Sequence, residues 1–316
     1  VAFADGQPVL HAFYPGRSVA DSQVDYTCGP KARHDGASEI VAAFYSYLDS
    51  TIAVVAAAPG TITEIRDGEP DRRNTIRGPE GLGNFVRISH TDGYETSYGF
   101  LRNGSIVVSP GDVVEAGSTI GSLGSSGEAL LPSVRFEVLR DGESVDPFAG
   151  ECGSDRSYWF EQPPYEDEYT FLASGLTNES VSLAEMREPV ASVDSISDGV
   201  AFFWVYAANV PGRMRHVLSL RDPDGLLIQQ TQFSTGKWLN ISLVSASFLV
   251  SDMRRLSRNG TWTWSYSGAS EATKTFELID PLAAAARAPE VQPASEPVVV
   301  EWGLGQAGRI VRRLIR

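Results

Sequence analysis

Histidines and cysteines, the residues that most often bind zinc, are few in this sequence, and they are far apart. The chain has four histidines and two cysteines, whereas a zinc site usually takes several thiolates or histidines at short spacing. His11 and His216 have no neighbours of metal-binding type. The carboxylates of Asp35 and Glu39 could hold a hard cation such as Ca²⁺, although two solvated carboxylates on a loop would explain the same residues.

The two cysteines, Cys28 and Cys152, could form one disulfide. Closing so long a loop would stabilise the fold by about 3–5 kcal/mol in the chain-entropy model, and it would indicate an oxidising compartment. The alternative is two unrelated reduced thiols. The first residue is Val1 rather than Met, which would fit the prior removal of a signal peptide.

The composition is that of a folded protein with more than one domain. A chain of 316 residues is long enough for two domains, since single cores usually stop growing near about 250 residues. No apolar run approaches the roughly 18 residues that cross a bilayer as a helix. The net charge of −14 argues against a nucleic-acid-binding body, because neutralising phosphates needs clustered Lys and Arg.

Short β-rich runs separated by turn dipeptides fill the region from Ala53 to Asp146. Their regular spacing, with turns such as Asp92-Gly93 and Asn103-Gly104, predicts an antiparallel β domain. The preceding stretch Ser38–Ser50 fits either an apolar helix or a strand that runs into a loop. The predicted strands are Ala53–Ala58, Thr61–Arg66, Phe85–His90, Glu95–Leu101, Thr119–Leu123 and Val134–Arg140.

A second β-rich region runs from about Val181 to Asp280. Roughly seven short strands in such a length predict an immunoglobulin-like sandwich, here without a cysteine pair. Trp262 and Trp264 fall on one face by strand alternation, which favours core packing over stacking on sugars. The predicted strands are Ala201–Tyr206, Val217–Leu220, Leu226–Gln230, Trp238–Leu243, Ser247–Val250, Gly260–Tyr266 and Lys274–Leu278.

The predicted boundaries divide the chain into four parts. Residues 1–152 form the first domain, 153–180 a linker pinned by aromatic side chains, 181–280 the sandwich, and 281–316 an Ala/Pro-rich tail. The end of the tail fits a short basic amphipathic helix, which would form only against a partner or an anionic membrane surface; a disordered end is the alternative. The residues predicted to dock are Arg309, Ile310, Arg312, Arg313 and Leu314.

Five motifs follow one another through the first domain. They are VAAAPGTI at 55–62, GNFVRISHTDGYETSY at 83–98, VSPGDVVEAG at 108–117, IGSLGSSG at 120–127 and VDPF at 145–148. In order and spacing they resemble the lysostaphin-type (LytM) zinc endopeptidases, which cut peptidoglycan cross-links. The resemblance covers about the first half of the chain and implies an all-β peptidase-like domain. It also implies that His90, at the end of a strand, is a hydrogen-bonded structural residue.

The family takes one zinc-binding His and an Asp from an H-x-x-x-D element, and a second zinc-binding His from an H-x-H strand. Alternate residues of that strand point to one face. The resemblance places Ser133 and Arg135 at the H-x-H positions, and Phe100 at the position of a further catalytic His. A guanidinium has no lone pair to offer a metal, and a phenyl ring cannot transfer a proton.

The first metal-binding element can be aligned in two ways. One alignment keeps His34 and puts Ser38 at the position of the Asp, whereas a shift by one residue puts Asp35 at the His and Glu39 at the Asp. Both lack the second His, so neither zinc nor catalysis is expected. We define the groove face as the side of the strand that carries Ser133, Arg135 and Glu137. The groove candidates are His34, Asp35, Glu39, Phe100, Ser133, Arg135 and Glu137.

The resemblance therefore implies a non-catalytic protein of the cell envelope, periplasmic or extracellular, with a binding or regulatory role toward cell-wall material or hydrolases. Its expected partner is an envelope protein or peptidoglycan, and Arg135 would turn the groove toward acidic partners. Two alternatives remain open: a structural subunit of an envelope assembly that docks through its tail, and a zinc peptidase with displaced ligands.

Overall fold

The computed structural model describes residues 9–19, 22–33, 36–49, 51–72, 81–256, 260–279, 299–304 and 310–315. The chain divides into two compact units, Val1–Glu166 and Asp167–Arg316. Both are built mainly of strands, so the all-β prediction is confirmed. The division falls inside the predicted linker 153–180. Its first part belongs to the first unit, and Thr170–Thr177 is a strand of the second unit.

The first unit consists of short strands and two 3₁₀ turns, Tyr45–Asp49 and Thr91–Gly93. Its strands are β1 (Val9–Pro15), β2 (Arg17–Val19), β3 (Ser22–Val24), β4 (Ala32–Arg33), β5 (Ser38–Ala42), β6 (Ala53–Val55), β7 (Gly60–Arg66), β8 (Asn84–Ser89), β9 (Tyr94–Leu101), β10 (Val113–Val114), β11 (Thr119–Ser122), β12 (Ser133–Arg140) and β13 (Glu143–Val145). The large sheet has the order β10-β7-β8-β9-β12-β5-β1-β4, with β13 on β12; β11-β6 and β2-β3 form two small sheets.

The core of the first unit lies between the large sheet and the small β11-β6 sheet. Val134, Phe136 and Val138 of β12 enter this core, as a period-2 alternation requires when one face of a strand is buried. The backbone N–H of Ala57 donates to Tyr98 Oη at 2.7 Å, which ties the loop after β6 to the large sheet. The groove face of β12 is therefore on the opposite side of the large sheet from this core.

The predicted strands between residues 53 and 140 are found within three residues at each end. The ambiguous stretch Ser38–Ser50 proves to be a strand, β5, that runs into a 3₁₀ turn. Strands β1 to β4 have no counterpart among the predictions. The antiparallel prediction holds for the large sheet except where β1 pairs with β4 in parallel.

The segment after β13 is fastened to the beginning of the unit. Cys28 and Cys152 form a disulfide, so that prediction is confirmed. Tyr165 Oη donates to Asp25 Oδ2 at 2.6 Å, and the ammonium of the fully buried Lys31 donates to the carbonyl of Glu166. An aromatic cluster surrounds these contacts and consists of Tyr14, Tyr26, Phe148, Trp159 and Tyr165. We call residues 147–166, held in this way, the strap.

The second unit is a sandwich of two five-stranded sheets. Its strands are β14 (Thr170–Thr177), β15 (Ser195–Ile196), β16 (Val200–Val210), β17 (Arg215–Arg221), β18 (Leu227–Ser234), β19 (Leu239–Leu249), β20 (Gly260–Ser267), β21 (Glu271–Leu278), β22 (Val299–Leu304) and β23 (Ile310–Ile315). One helix, α1 (Val250–Leu256), and a 3₁₀ turn, Glu185–Arg187, complete it. The sheet orders are β14-β16-β19-β22-β23 and β15-β21-β20-β17-β18.

The two sheets of this unit share one apolar core. Phe203 from the first sheet stacks on Trp264 from the second, with ring centroids 5.5 Å apart. Trp262 and Trp264 are almost fully buried, so the prediction that they pack in the core is confirmed. The two strands predicted at Trp238–Leu243 and Ser247–Val250 form one continuous strand, β19. The assignment to the immunoglobulin-like type stays a prediction.

The helix predicted for the end of the tail is wrong. Ile310–Ile315, which includes Arg312, Arg313 and Leu314, is strand β23 and pairs with β22 at the edge of a sheet. Its β-branched residues favour a strand, and pairing with β22 supplies backbone hydrogen bonds that an isolated short helix could not match. A strand has no basic helical face for docking. Arg309 lies outside the described residues, and no helix in the described part of the chain is long and apolar enough to span a membrane.

His216 of β17 is a titratable group inside the second core. It is 1% exposed, stacks on Phe233 with ring centroids 4.9 Å apart, and its Nδ1 lies 3.0 Å from Tyr266 Oη. Burial lowers the pKa of His216 from 6.5 to about 4, because desolvation penalises the imidazolium. Its expected lack of a metal role fits this apolar setting.

The free energy of unfolding should therefore fall as the pH drops from 6.5 to about 4. Over that range the unfolded state binds a proton at His216 and the folded state does not, at a cost of up to about 3 kcal/mol. We expect His216→Gln, which can still accept a hydrogen bond from Tyr266, to flatten this slope. Denaturant unfolding at pH 7 and at pH 4 measures this pH dependence. If the variant lost as much unfolding free energy between pH 7 and pH 4 as the unsubstituted protein, the pH dependence could not be assigned to His216.

Candidate functional site

The centre of the candidate site is Arg135 on β12, between two neighbouring strands. In the strand register it lies opposite Glu39 of β5 and opposite Gly99 of β9. Residues directly opposite each other share a face of the sheet, so Glu39 is on the groove face. Ser38 is opposite Phe136, on the core face. Of the two alignments of the first metal-binding element, the register therefore favours the one that uses Glu39.

This centre is an oppositely charged pair with little exposure. Glu39 is 7% exposed and Arg135 is half-buried. A carboxylate removed from water needs a cation or several donors to offset its lost hydration. The strand register places Arg135 directly opposite this carboxylate, so the two opposite charges lie on neighbouring strands of the same face.

A second row of polar residues crosses the groove face beside the first. Glu137 is opposite Ser97, Ser97 is opposite Arg87, and Arg87 is opposite Glu64. Arg87 Nη1 lies 2.9 Å from Glu64 Oε2. The hydroxyls of Ser97 and Ser133 are buried without a hydrogen-bond partner among the described residues. Such groups are costly to leave unpaired, and they leave hydrogen-bonding capacity on this face.

The backbone at Phe100 has an unusual shape. Phe100 has φ +65°, which is uncommon for a bulky residue and costs about 1–2 kcal/mol. The pairing of β8 with β9 shifts between Asn84 and Val86, so β9 carries a bulge here. Bulges re-aim side chains and are frequent next to active sites. The re-aimed side chain is a fully buried phenyl ring with no acid–base chemistry.

Leu82 covers the groove face next to Arg135. A Cβ built on Gly99 would lie 2.9 Å from Leu82 Cδ2, and Leu82 is buried. A side chain at position 99 would therefore have to displace the end of this leucine. The groove face is thus partly filled with apolar atoms at the point where Arg135 meets β9.

His90 is a structural residue, as the sequence predicts. Its Nδ1 lies 2.8 Å from the carbonyl oxygen of Pro59, and its Nε2 lies 2.8 Å from Thr96 Oγ1. A carbonyl can only accept, so Nδ1 carries the proton and Nε2 accepts from the threonine hydroxyl. Both ring nitrogens are therefore hydrogen-bonded. Thr96 is opposite Val138 on the core face, so the ring of His90 lies on that face too.

No group of three His, Cys, Asp or Glu side chains suited to a metal occurs in the described part of the chain. His34 and Asp35 lie outside the described residues. His216 is buried in the second unit with one ring nitrogen near Tyr266. The Ca²⁺ hypothesis for Asp35 and Glu39 therefore stays a prediction.

Comparison with known proteins identifies the first domain. The model of Peptidase family M23 matches residues 46–147. These residues form an M23 domain.

Curated relatives match 30% of the chain. Murein hydrolase activator EnvC of Escherichia coli is 37% identical over 95 residues, which are 30% of this chain and 22% of EnvC. Outer membrane antigenic lipoprotein B of Haemophilus influenzae is 36% identical over 95 residues, 30% of this chain and 20% of the relative. The lipoprotein NlpD/LppB homolog of Pseudomonas aeruginosa is 33% identical over 94 residues, which are 30% of this chain and 27% of the relative. The matched part therefore spans only 20% to 27% of the length of these relatives.

Solved structures include a point mutant of the catalytic domain of the prophage-encoded M23 protein EnpA from Enterococcus faecalis. It is 23% identical, covers 46% of this chain and 94% of that chain, and has a TM-score of 0.31.

The residues at the zinc positions of the M23 domain do not fit a zinc ion. The family resemblance places Ser133 and Arg135 at the H-x-H positions, and a guanidinium beside the site repels a dication. Glu39 is the one carboxylate that the register aligns with Arg135, and the resemblance places Phe100 at the position of the remaining histidine. A hydrolytic zinc needs three protein ligands and a bound water. The described residues of this M23 domain offer one such protein ligand, Glu39.

Three features of the site were not predicted. The αL conformation of Phe100, the cover by Leu82 and the second row from Glu137 to Glu64 depend on strand register. The only sequence signal was Tyr98-Gly99-Phe100, where glycine precedes the bulged residue. Register is set by contacts between distant strands, which local patterns do not encode.

The cross-strand pair gives a stability prediction. We expect Arg135→Met and Glu39→Gln each to lower the free energy of unfolding by about 1–3 kcal/mol, because each removes one of two opposite charges that face each other on neighbouring strands. The double variant should lose less than the sum, with a coupling of about 1–3 kcal/mol. Urea denaturation of the four proteins measures this double-mutant cycle.

The matched control is the pair Arg255 and Asp252 of α1, in which Arg255 is exposed and the closest atoms are 3.6 Å apart. A cycle on that pair should give a coupling below about 1 kcal/mol. Additive losses at Arg135 and Glu39 would show that the two groups do not support each other.

Proposed function

We propose that this chain is a non-catalytic M23-domain protein of the cell envelope that binds or regulates cell-wall hydrolases. The observation that carries the proposal is Arg135 opposite Glu39, at positions where the family resemblance expects two zinc ligands. A guanidinium at a ligand position has no lone pair for zinc and repels a dication. The similarity to a relative named murein hydrolase activator supports the regulatory role.

The groove face suits a ligand that carries a carboxylate. Arg135 is partly exposed, and a guanidinium keeps several N–H donors even when one side of it meets Glu39. The buried hydroxyls of Ser97 and Ser133 add donors and acceptors on the same face. We propose that an acidic group, from a partner hydrolase or a peptidoglycan peptide stem, binds beside Arg135.

A periplasmic or extracellular location agrees with two observations. The Cys28–Cys152 disulfide persists in oxidising compartments and is rare in the reducing cytosol. The relative from Haemophilus influenzae is named an outer membrane lipoprotein. Both support placement in the envelope, where cell-wall hydrolases act.

The two other hypotheses have less support. A zinc peptidase with displaced ligands would need donors that the groove face does not supply among the described residues. A structural subunit docking through a helical tail lacks its helix, because the tail forms β23. The strand remains at a sheet edge, but no observation favours assembly through it.

The test is release of dye from labelled peptidoglycan. We expect the full chain alone to release none, and to raise the rate of an envelope murein hydrolase in a dose-dependent manner. The variant Arg135→Ala should weaken this effect at least about tenfold, as expected when a charge-assisted contact is lost. Arg215→Ala is the control, because Arg215 is exposed in the second unit and contacts the side chain of Gln232.

The hydrolases for this assay can be isolated from envelope extracts by capture on the immobilised full chain. Capture of a hydrolase that the chain activates supports the proposal. Release of dye by the chain alone would show a peptidase. Failure to bind or stimulate any envelope hydrolase or sacculus preparation would remove the regulatory role, and full stimulation by Arg135→Ala would remove the role of that residue.

A further inference from the structure

A pocket of about 240 Å³ lies at one end of the first core, on the side of the large sheet away from the groove face. Phe136 and Val138 of β12 line it, and both belong to the core face. The strap contributes Tyr158, Trp159 and Phe160 to its walls. The pocket is therefore a second concave surface, separated from Arg135 by the thickness of the sheet.

The interior of this pocket suits an apolar group. Two of its polar members, His90 and Thr96, are hydrogen-bonded to each other, and the second ring nitrogen of His90 is bonded to Pro59. Among the described residues that line the pocket none carries a carboxylate, although the chain contains 40 acidic residues. Apolar cavities of about 150 Å³ already hold a benzene ring, so this one has room for a single aromatic or leucine-sized side chain.

The rim of the pocket is cationic. The guanidinium of Arg140 lies 5.1 Å from the ring centre of Tyr94, and that of Arg156 lies 5.3 Å from the ring centre of Tyr158. The two rings are 5.8 Å apart. The exposed Asp141 is 3.9 Å from Arg140 and offsets part of its charge. Arg156 is the stronger candidate for an anion, since it is exposed and a guanidinium has five N–H donors, more than its contacts with Tyr158 and Tyr94 need.

The walls formed by the strap are held in place before any ligand arrives. The N–H of Tyr158 donates to the carbonyl of Pro147 at 3.0 Å, and Gln162 exchanges two hydrogen bonds with the backbone of Ala149. The phenyl ring of Phe160 is fully exposed at the edge. A preorganised pocket with an exposed aromatic lip reduces the entropy lost on binding, and aromatic residues commonly anchor protein interfaces.

We propose that this pocket binds one apolar side chain of a partner protein, from a segment that carries a carboxylate next to that side chain. The apolar group fills the space over Phe136 and Val138, and the carboxylate pairs with Arg156. The surface is independent of the groove face, so its test does not depend on the regulatory function proposed above.

Short peptides provide the probe. Acetyl-Phe-Glu-amide should bind the full chain with a Kd in the millimolar range, typical of so small a ligand. Acetyl-Phe-Lys-amide, which reverses the charge, and acetyl-Ala-Glu-amide, which lacks the ring, should bind at least about tenfold weaker. Calorimetric titration measures the affinities, and NMR shift changes locate the contact.

Two variants test the geometry. Val138→Phe fills the pocket and should abolish binding, with Val107→Phe as a control because Val107 is exposed outside the pocket. Ala58→Leu narrows the same pocket at another lining residue. It replaces Val138→Phe in the test if that variant fails to fold. Arg156→Gln should weaken acetyl-Phe-Glu-amide about fivefold or more and leave acetyl-Phe-Lys-amide unchanged.

Several outcomes would overturn the proposal. One is equal affinity for the Glu and Lys peptides, which would remove the role of the cationic rim. Another is unchanged binding in Ala58→Leu. A third is tighter binding of an N-acetylglucosamine oligomer than of any peptide, which would make the aromatic lip a sugar site.

Discussion

The register of β12 against β5 and β9 is the constraint on which the account of the first domain depends. It puts Arg135 opposite Glu39 and Gly99 on one face, while Phe136 and Val138 enter the core on the other. A slip of one residue would exchange these faces and bury a guanidinium among apolar side chains, at a cost that no nearby group could offset. The same alternation of side chains that builds the core therefore determines which side chains lie on the groove face.

Arg135 also puts a permanent positive charge at a position where the family resemblance expects a zinc-binding histidine. A guanidinium has no lone pair for a metal and repels a dication. It lies opposite the carboxylate of Glu39 in the strand register, so opposite charges share the groove face. The bulge at Phe100 combines a left-handed backbone with a side chain that has no acid–base chemistry.

Sequence patterns predicted the strands that show regular alternation of apolar and polar residues, and the disulfide. Strand alternation located β7 to β9, β11 and β12, and the cysteine count suggested the disulfide. The tail was mispredicted because Ile310–Ile315 fits both a helical face and a strand, and only its pairing with β22 decides. Aromatic side chains predicted that the linker is pinned, but not the contacts that hold the strap or its pocket, since Tyr165, Asp25 and Lys31 meet across distances in sequence that no local pattern spans.

The most direct test of the central claim is the zinc content of the purified full chain after equilibration with zinc and removal of the free ion. The account predicts no stoichiometric zinc, because Arg135, Ser133 and Phe100 offer no replacement for the missing histidines. One tightly bound equivalent, with cross-link cleavage that is lost on chelation, would contradict it.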